Sequence, residues 1–407
     1  MGCSGCVSTH PRRSAKARGV AAFSRPLFSW RRAAELVPWL VLLAFAAVMS
    51  QRILPAWNLD VVFYAGASYA QTESDPAEVH RLVYEDIRRE APQQLGELII
   101  SESGYRKRVA SSAEAFSGQL PFYTAKPLYV SAITVARTLS GGGASAAAFR
   151  VSQFAFVLLL VAVSVAARGF ASSGVSVAIG VAFGLGIPVV ETAELASPDA
   201  LCAALVIGAF AAFFRGSVWV GGILGVLAVL ARPDAVIFVV FGALLPSMVV
   251  RPRSEWRVAT LAGAGIVVAS LLPSLVEGAY GWTMAMRQTF FGSTTYVERL
   301  REPLSWADYV YALKKGLGGY MSWNRGGYWP YLAASVVAGV AGLLVRAPRE
   351  GLWKASLASA LCWGAAGIHV FAFPLVADRV LLPAYGMGLL VVAAALAGWR
   401  VEKEVDS

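Results

Sequence analysis

The segment LVPWLVLLAFAAVMSQRIL, residues 36–54, is followed two residues later by WNLDVVFY, residues 57–64. The first segment is an apolar run of the length that a helix needs to cross a bilayer. The second begins a long polar connection and places Asp60 just outside that helix. An acidic group at a bilayer surface is costly, so Asp60 is a candidate functional residue. The competing interpretation is that Asp60 caps a helix or lies in a solvated loop.

The composition excludes an ordinary soluble protein. Of the 407 residues, 57% are hydrophobic and 15% are charged, and the mean hydropathy is +0.60. Apolar runs of bilayer length recur along the chain, which is typical of a polytopic membrane protein. We expect residues 1–32 to be a disordered cytoplasmic leader that faces anionic lipid and needs no nucleic acid. Much of the net charge of +10 lies in this leader, at Arg12, Arg13, Lys16, Arg18, Arg25, Arg31 and Arg32.

The hydropathy pattern predicts an all-α fold with about ten transmembrane helices. The predicted spans are residues 36–54, 149–167, 174–190, 200–214, 217–231, 234–250, 257–276, 329–345, 353–373 and 380–398. The apolar stretch 127–139 is too short for a span and carries Arg137, so whether it crosses decides the topology. The positive-inside rule prefers that it lies in the interface. The basic residues that then join the leader inside are Arg168, Arg215, Arg251, Arg253, Arg257, Arg346, Arg349 and Arg400.

These spans define a transmembrane domain, residues 33–400, with a short cytoplasmic tail at residues 401–407. Its two long outer loops are residues 56–148 and 277–328. The first loop is predicted to be ordered and to carry juxtamembrane helices, one of them polar and running from Pro76 to Arg89. The second loop is rich in aromatic residues, which either form an interfacial belt or cover a site where rings stack on sugars.

In this topology the ionisable residues near the span ends share the outer face. They are Asp60, Glu191, Glu194, Asp199, Arg232, Asp234, Glu277, Asp378 and Arg379. Only basic residues were used to choose the topology, so the agreement among the acids favours a shared outer site. The alternative is that these acids cap helices, and Ser197-Pro198-Asp199 does have the sequence of a helix start.

The layout and five short motifs resemble the GT-C superfamily of polyprenyl-phosphate-sugar-dependent glycosyltransferases. That group contains the protein O-mannosyltransferases and the aminoarabinose transferase of lipid A. The resemblance covers roughly residues 36 to 398. Asp60 matches the acid of the family's first outer loop, and Lys126–Tyr129 looks like the segment that opens its juxtamembrane helix. Ser197–Leu201 is similar to its second-loop aspartate, Leu230–Asp234 to its Arg-Pro break between spans, and Asp378–Pro383 to its late Arg-aromatic-x-x-Pro motif.

The sequence also departs from the family pattern. Val380 stands where the family often has an aromatic residue, Asp60 has no second acid beside it, and no soluble domain is expected after the last span. The unpaired acid leaves metal dependence open and gives no support for a metal site. The resemblance implies no other cofactor. The acceptor cannot be read from these residues.

The resemblance implies an inverting transfer in which Asp60 is the base that deprotonates the acceptor. The leaving phosphate needs cations, and the candidates are Lys126, Arg232 and Arg379. A purely structural Arg232–Asp234 ion pair is the alternative for that arginine. The residues assigned to sugar or acceptor binding are Tyr64, Glu191, Glu194, Asp199, Asp234 and Asp378.

The expected enzyme is therefore a hexosyl- or pentosyltransferase of the cytoplasmic membrane with its active site on the outer face. Its expected partners are a polyprenyl-phosphate sugar donor, a lipid, glycan or protein acceptor, and the membrane. One alternative is a transporter or flippase of lipid-linked saccharides, although such carriers tend to bury charges at mid-span. Another is a non-catalytic subunit of an envelope assembly. The donor sugar and the oligomeric state stay open.

Overall fold

The structure, a computed structural model, describes residues 30–99, 104–245, 263, 281–291, 300, 302–323, 350–375 and 377–405. Within these ranges the chain is helical and contains no strand. The all-α prediction is therefore confirmed for the described chain. Most of the predicted leader, the predicted spans 257–276 and 329–345, and Glu277 lie outside the described residues.

The helices of the first half form two groups, the spans and the connection between them. They are α1 (Trp30–Arg52), α2 (Leu59–Tyr69), α3 (Pro76–Glu90), α4 (Pro92–Ile99), α5 (Gly104–Ser111), α6 (Ala113–Ser117), α7 (Leu120–Thr124), α8 (Pro127–Ser140), α9 (Ala144–Ala167), α10 (Ser173–Gly184) and α11 (Ile187–Glu194). The later helices are α12 (Asp199–Phe214), α13 (Val218–Ala231), a 3-10 turn (Pro233–Ala235), α14 (Val236–Ala243), α15 (Trp282–Phe290), α16 (Trp306–Trp323), α17 (Glu350–Ala372) and α18 (Asp378–Val405).

Four of the described helices are long and apolar enough to cross a membrane. They contain Glu35–Arg52, Ala144–Ala167, Gly351–Ala372 and Asp378–Ala397, and a fifth span is counted if α10 and α11 are taken as one. Helices α12 and α13 and the stretch Pro233–Ala243 are apolar but shorter. The chain thus has the helices of a membrane protein, and the full number of spans stays a prediction.

The predicted span at residues 174–190 is broken in the structure. The structure has two helices there, α10 and α11, which are bent by 63° at a short break. Pro188 lies in the first turn of α11 and has no backbone N–H to continue a helix from α10. It also disfavours a helical conformation for Ile187, which precedes it. A second difference is that α1 begins at Trp30, inside the predicted disordered leader.

The spans pack around α9, which contacts α1, α10, α12 and α18 along one apolar core. The connection between α1 and α9 has its own core, in which α2 is enclosed by α3, α7, α8 and α9. Aromatic rings fill this second core: Tyr123 packs on Phe63 and on Tyr64, with centroids 4.8 Å apart in both pairs. The predicted polar helix at Pro76–Arg89 is present as α3.

A buried carboxylate joins the two cores. Asp86 on α3 accepts a hydrogen bond from the backbone N–H of Ser145, 2.9 Å away in the first turn of α9. Its carboxylate occupies the space that a side chain at Gly143 would need. The contact fixes the connection against the N-terminus of α9, whose unpaired backbone N–H groups favour a negative charge.

The buried hydroxyl of Ser152 holds the segment before α12 by hydrogen bonds to its backbone. Tyr129 Oη lies 2.8 Å from Ser152 Oγ, and Ser152 Oγ bonds both the N–H and the carbonyl of Ser197. These contacts run from α8 through α9 to the residues that precede Asp199. They place the start of α12 beside the connection that carries Asp60.

Candidate functional site

Asp60 lies in the first turn of α2 and is not its cap. Asn58 is the N-cap, since its side chain accepts a hydrogen bond from Val61 N at 3.3 Å. The Asp60 carboxylate instead accepts a hydrogen bond from Tyr123 Oη at 2.9 Å. Its second oxygen lies 3.8 Å from Nη1 of Arg379, and the side chain is 32% exposed. Helix capping therefore does not occupy the Asp60 carboxylate, which remains available to a ligand.

Arg232 lies between two carboxylates. Its Nε and Nη2 contact the two oxygens of Asp234 at 3.0 and 2.5 Å, and its Nη1 contacts Asp199 Oδ1. Pro233 holds Arg232 in an extended conformation and starts the 3-10 turn that brings Asp234 to the same side. Bidentate contacts of this kind are strong and fix the plane of the guanidinium group. The side chain is only 16% exposed, so Arg232 is largely buried among the residues that it pairs with.

Arg379, in the first turn of α18, is held more loosely. Its Nε lies 3.6 Å from Asp199 Oδ2 and its Nη1 lies 3.8 Å from Asp60 Oδ2. Both distances exceed those of a good hydrogen bond. Arg379 therefore bridges two acids by charge alone.

Lys126, the residue before α8, points its ammonium group at aromatic faces. Nζ lies 3.7, 5.0 and 5.4 Å from the ring centres of Phe122, Tyr123 and Tyr64. Within the described chain, Nζ makes no hydrogen bond and no ion pair. Burial, and next the positive charge of Arg232, lower the pKa of Lys126 to about 7, against an opposing effect of Asp60.

Two residues of the site were not predicted. His369, near the end of α17, places Nε2 2.8 Å from Asp234 Oδ2 and is buried, with 1% of its surface exposed. Tyr123 bonds Asp60 and flanks Lys126. A signal was available for His369, since it is a lone polar group in the last turns of an apolar span that ends close to Asp378. No comparable signal marked Tyr123, which is one of many aromatic residues in the connection.

The structure thus brings together six of the predicted residues and leaves others apart. Asp60, Lys126, Asp199, Arg232, Asp234 and Arg379 form one charged group, here called the charge cluster, together with His369. Tyr64 lies beside the charge cluster as a buried ring on Tyr129 and Tyr123. Asp378 accepts a hydrogen bond from Tyr385 at 2.5 Å. In the part of the chain that is described, Glu191 and Glu194 make no side-chain contact with the charge cluster.

A cavity of about 10 Å³ lies inside the charge cluster, enough for about one water molecule. Its lining includes Asp199, Cys202, Arg232, Asp234, Phe238 and Arg379. Across the charge cluster, the carboxylates of Asp60, Asp199 and Asp234 lie against the guanidinium groups of Arg232 and Arg379, with Lys126 beside them.

The fold and the site define a class: an α-helical membrane protein whose helix ends converge on a partly buried charge cluster. Comparisons with protein-family models, with curated proteins and with solved structures found no match to this chain. The function is therefore argued from the site itself.

Proposed function

We propose that this protein transfers a sugar from a polyprenyl-phosphate-linked donor to an acceptor at the outer face of the cytoplasmic membrane, as GT-C glycosyltransferases do. The observation that carries the proposal is the contact of Asp60 with Arg379, beside Arg232 and Lys126. It places a carboxylate that can act as a base next to cations that can hold a phosphate. Each group comes from a different segment of the chain and from the end of a helix.

The same contacts support the ten-span topology. Asp60 and Asp199 both contact Arg379, so they lie on the same side of the membrane. Between them lie α8, α9 and the bent pair α10–α11. The two acids can share a side if α9 and α10–α11 cross and α8 does not. Arg232 also contacts Asp199, which fits the two crossings of α12 and α13. The distribution of arginines favours the outer side.

In the proposed reaction Asp60 acts as the base. Its carboxylate takes the proton of the acceptor O–H while the acceptor oxygen forms a bond to the anomeric carbon of the sugar. The bond from that carbon to the phosphate oxygen breaks, and its electron pair leaves with the polyprenyl phosphate. Attack opposite the leaving group inverts the anomeric centre. Tyr123 Oη and Arg379 Nη1 lie 2.9 and 3.8 Å from the two Asp60 oxygens and orient the carboxylate, as a positioned base requires.

The three cations divide into one structural group and two ligand-binding groups. Arg232 is occupied by Asp199 and Asp234, which supports the structural alternative for this residue. In the part of the chain that the structure describes, Arg379 and Lys126 have no short polar contact, so both can turn to an anion at little cost. A phosphate is also larger than the present cavity. We therefore assign Arg379 as the side chain that moves when the donor enters.

One observation favours a second candidate, a carrier of lipid-linked saccharides. The broken helix α10–α11 has the geometry found in transporters, where helix ends at a break bind the substrate. The acids of α11, Glu191 and Glu194, do not contact the charge cluster, however. A carrier would therefore have to use a second site, and the enzyme accounts for more of the observed contacts.

The test is the fate of a labelled donor. Membranes that contain the protein are incubated with polyprenyl-phosphate sugars labelled in the sugar, and matched membranes contain the Asp60→Asn variant. The enzyme predicts that label moves to an acceptor and that free polyprenyl phosphate appears only with the wild type. Movement of intact donor across the membrane, without release of polyprenyl phosphate, would identify a carrier instead.

A further inference from the structure

His369 is a buried titratable group that the proposed reaction does not use. Nε2 bonds Asp234 at 2.8 Å, whereas Nδ1 is buried and has no hydrogen-bond partner among the described residues. The ring lies near Phe238 and Phe373, with centroids 6.2 and 6.4 Å away. A carboxylate only accepts hydrogen bonds, so Nε2 must carry the proton and Nδ1 needs none. The imidazole therefore serves the site through a single N–H donor.

The N–H of His369 bonds Asp234, and Asp234 begins a continuous series of ion-pair contacts that leads to Asp60. His369 contacts Asp234, Asp234 contacts Arg232, and Arg232 contacts Asp199. Asp199 contacts Arg379, which in turn contacts Asp60. Contacts near His369 are short and those near Asp60 are long. His369 lies at the rigid end of this chain.

We propose that His369 is a positioning residue that fixes the Asp234 carboxylate against Arg232 by a hydrogen bond, so that Arg379 remains available to the phosphate. This rests on the proposed function in one respect, namely that the anion is a polyprenyl phosphate. Asp234 lines the same cavity as Arg379. The Oδ2 atom of Asp234 accepts hydrogen bonds from both His369 and Arg232. Without His369, the negative charge of Asp234 loses a donor, and an anion in the cavity is repelled.

Two substitutions at position 369 separate the effect of the hydrogen bond to Asp234 from the effect of side-chain packing. Gln reproduces an N–H donor at about the distance of Nε2, while it fits the aromatic surroundings poorly. Phe reproduces the ring and fits those surroundings, while it has no donor. A positioning role therefore predicts that Gln preserves anion binding and Phe does not. A packing role predicts the reverse order.

The experiment measures binding of undecaprenyl phosphate to the purified full-length protein in detergent, with the melting temperature of each variant alongside. We expect His369→Phe to weaken binding on the order of tenfold and His369→Gln to stay within about twofold of wild type. Trp363→Phe is the matched control, since it removes a buried ring N–H on the same helix that has no hydrogen-bond partner among the described residues. It should leave binding unchanged.

The outcomes separate this inference from the proposed function. A wild-type protein that does not bind undecaprenyl phosphate contradicts the proposed function. Normal binding by wild type and by His369→Phe overturns the positioning role alone. If His369→Phe unfolds, His369→Leu removes the donor instead and is measured in the wild-type and Asp234→Asn backgrounds. It should weaken binding in the first and change binding no further in the second, and an additional loss in the second would show that His369 does not act through Asp234.

Discussion

At the scale of single residues, Arg232 and Arg379 carry the same charge but are held differently. Arg232→Ala should mainly cost stability, because it leaves the buried carboxylate of Asp199 without its closest cation. Breaking such a pair costs about 3 kcal/mol. Arg379→Ala should lower the affinity for polyprenyl phosphate about ten- to a hundredfold with little loss of stability. Unfolding in detergent and phosphate binding, measured on both variants, test this division. Equal effects of the two variants on both measurements would contradict it.

Asp60 is the residue on which the transferase proposal depends most directly. Asp60→Asn keeps the size of the side chain and can still accept from Tyr123, but it cannot take a proton. Turnover should therefore fall by about a hundredfold or more, while the affinity for the donor changes little. Asp60→Glu keeps the base at a shifted position and should retain a fraction of the activity. Sugar transfer by the three proteins at equal amounts of folded protein measures this. An Asn variant as active as wild type would remove Asp60 from the mechanism.

Lys126 makes anion binding depend on pH. With a pKa of about 7, lowered mainly by burial, it is charged below neutral pH and neutral above it. Only the charged form attracts a phosphate, so affinity should be highest below pH 7 and should fall as the pH rises through 7. Above pH 7 the affinity for the phosphate can fall by up to about tenfold per pH unit. Lys126→Arg stays charged throughout, so its affinity should lack this loss. Because the ligand titrates equally in both experiments, the difference between the two proteins isolates Lys126.

At the scale of elements, the connection between α1 and α9 depends on Asp86. Asp86→Ala removes the acceptor for Ser145 N at the start of α9. Loss of a comparable cap costs about 1 to 2 kcal/mol. Glu85→Ala is the matched control on the same helix, since its ion pair with Arg81 is exposed and contributes little to stability. Denaturant unfolding should rank Asp86→Ala well below Glu85→Ala, and equal stability of the two would exclude the cap.

Helix starts were predictable from local sequence, whereas the break in a span was not. Pro198 before Asp199 correctly indicated the start of α12, and the apolar periodicity correctly indicated α9 and α18. The bend between α10 and α11 was missed because the apolar run continues through it. Pro188 was a signal for it, but a proline in an apolar span is also tolerated where neighbouring helices satisfy the freed backbone groups.

At the scale of the whole molecule, the sequence favoured a grouping of helix ends and one ion pair, Arg232 with Asp234, but not the contacts that join distant helices. The order of spans is set by hydropathy, which a sequence displays directly. The contact of Asp234 with His369 joins residues 135 positions apart and depends on how α17 packs beside α14. Such packing is decided by the fit of side chains across helices. For that reason the sequence left Arg232 open between a structural and a ligand-binding role.

The course of the chain through the membrane gives the last prediction. If α8 lies in the interface, Ser74 is outside and Ser217 is inside; if α8 crosses, both are outside. Both residues are exposed, so each can carry a cysteine in a background where Cys3 and Cys6 are replaced by serine. A membrane-impermeant thiol reagent added to intact cells should label Ser74→Cys and not Ser217→Cys. Reporters inserted near Thr294 and fused after Arg400 should likewise read as outer and cytoplasmic. Labelling at both cysteines would require Asp60 and Asp199 to lie on opposite sides of the membrane. Because one guanidinium group lies within 4 Å of both carboxylates, that result would also contradict the charge cluster.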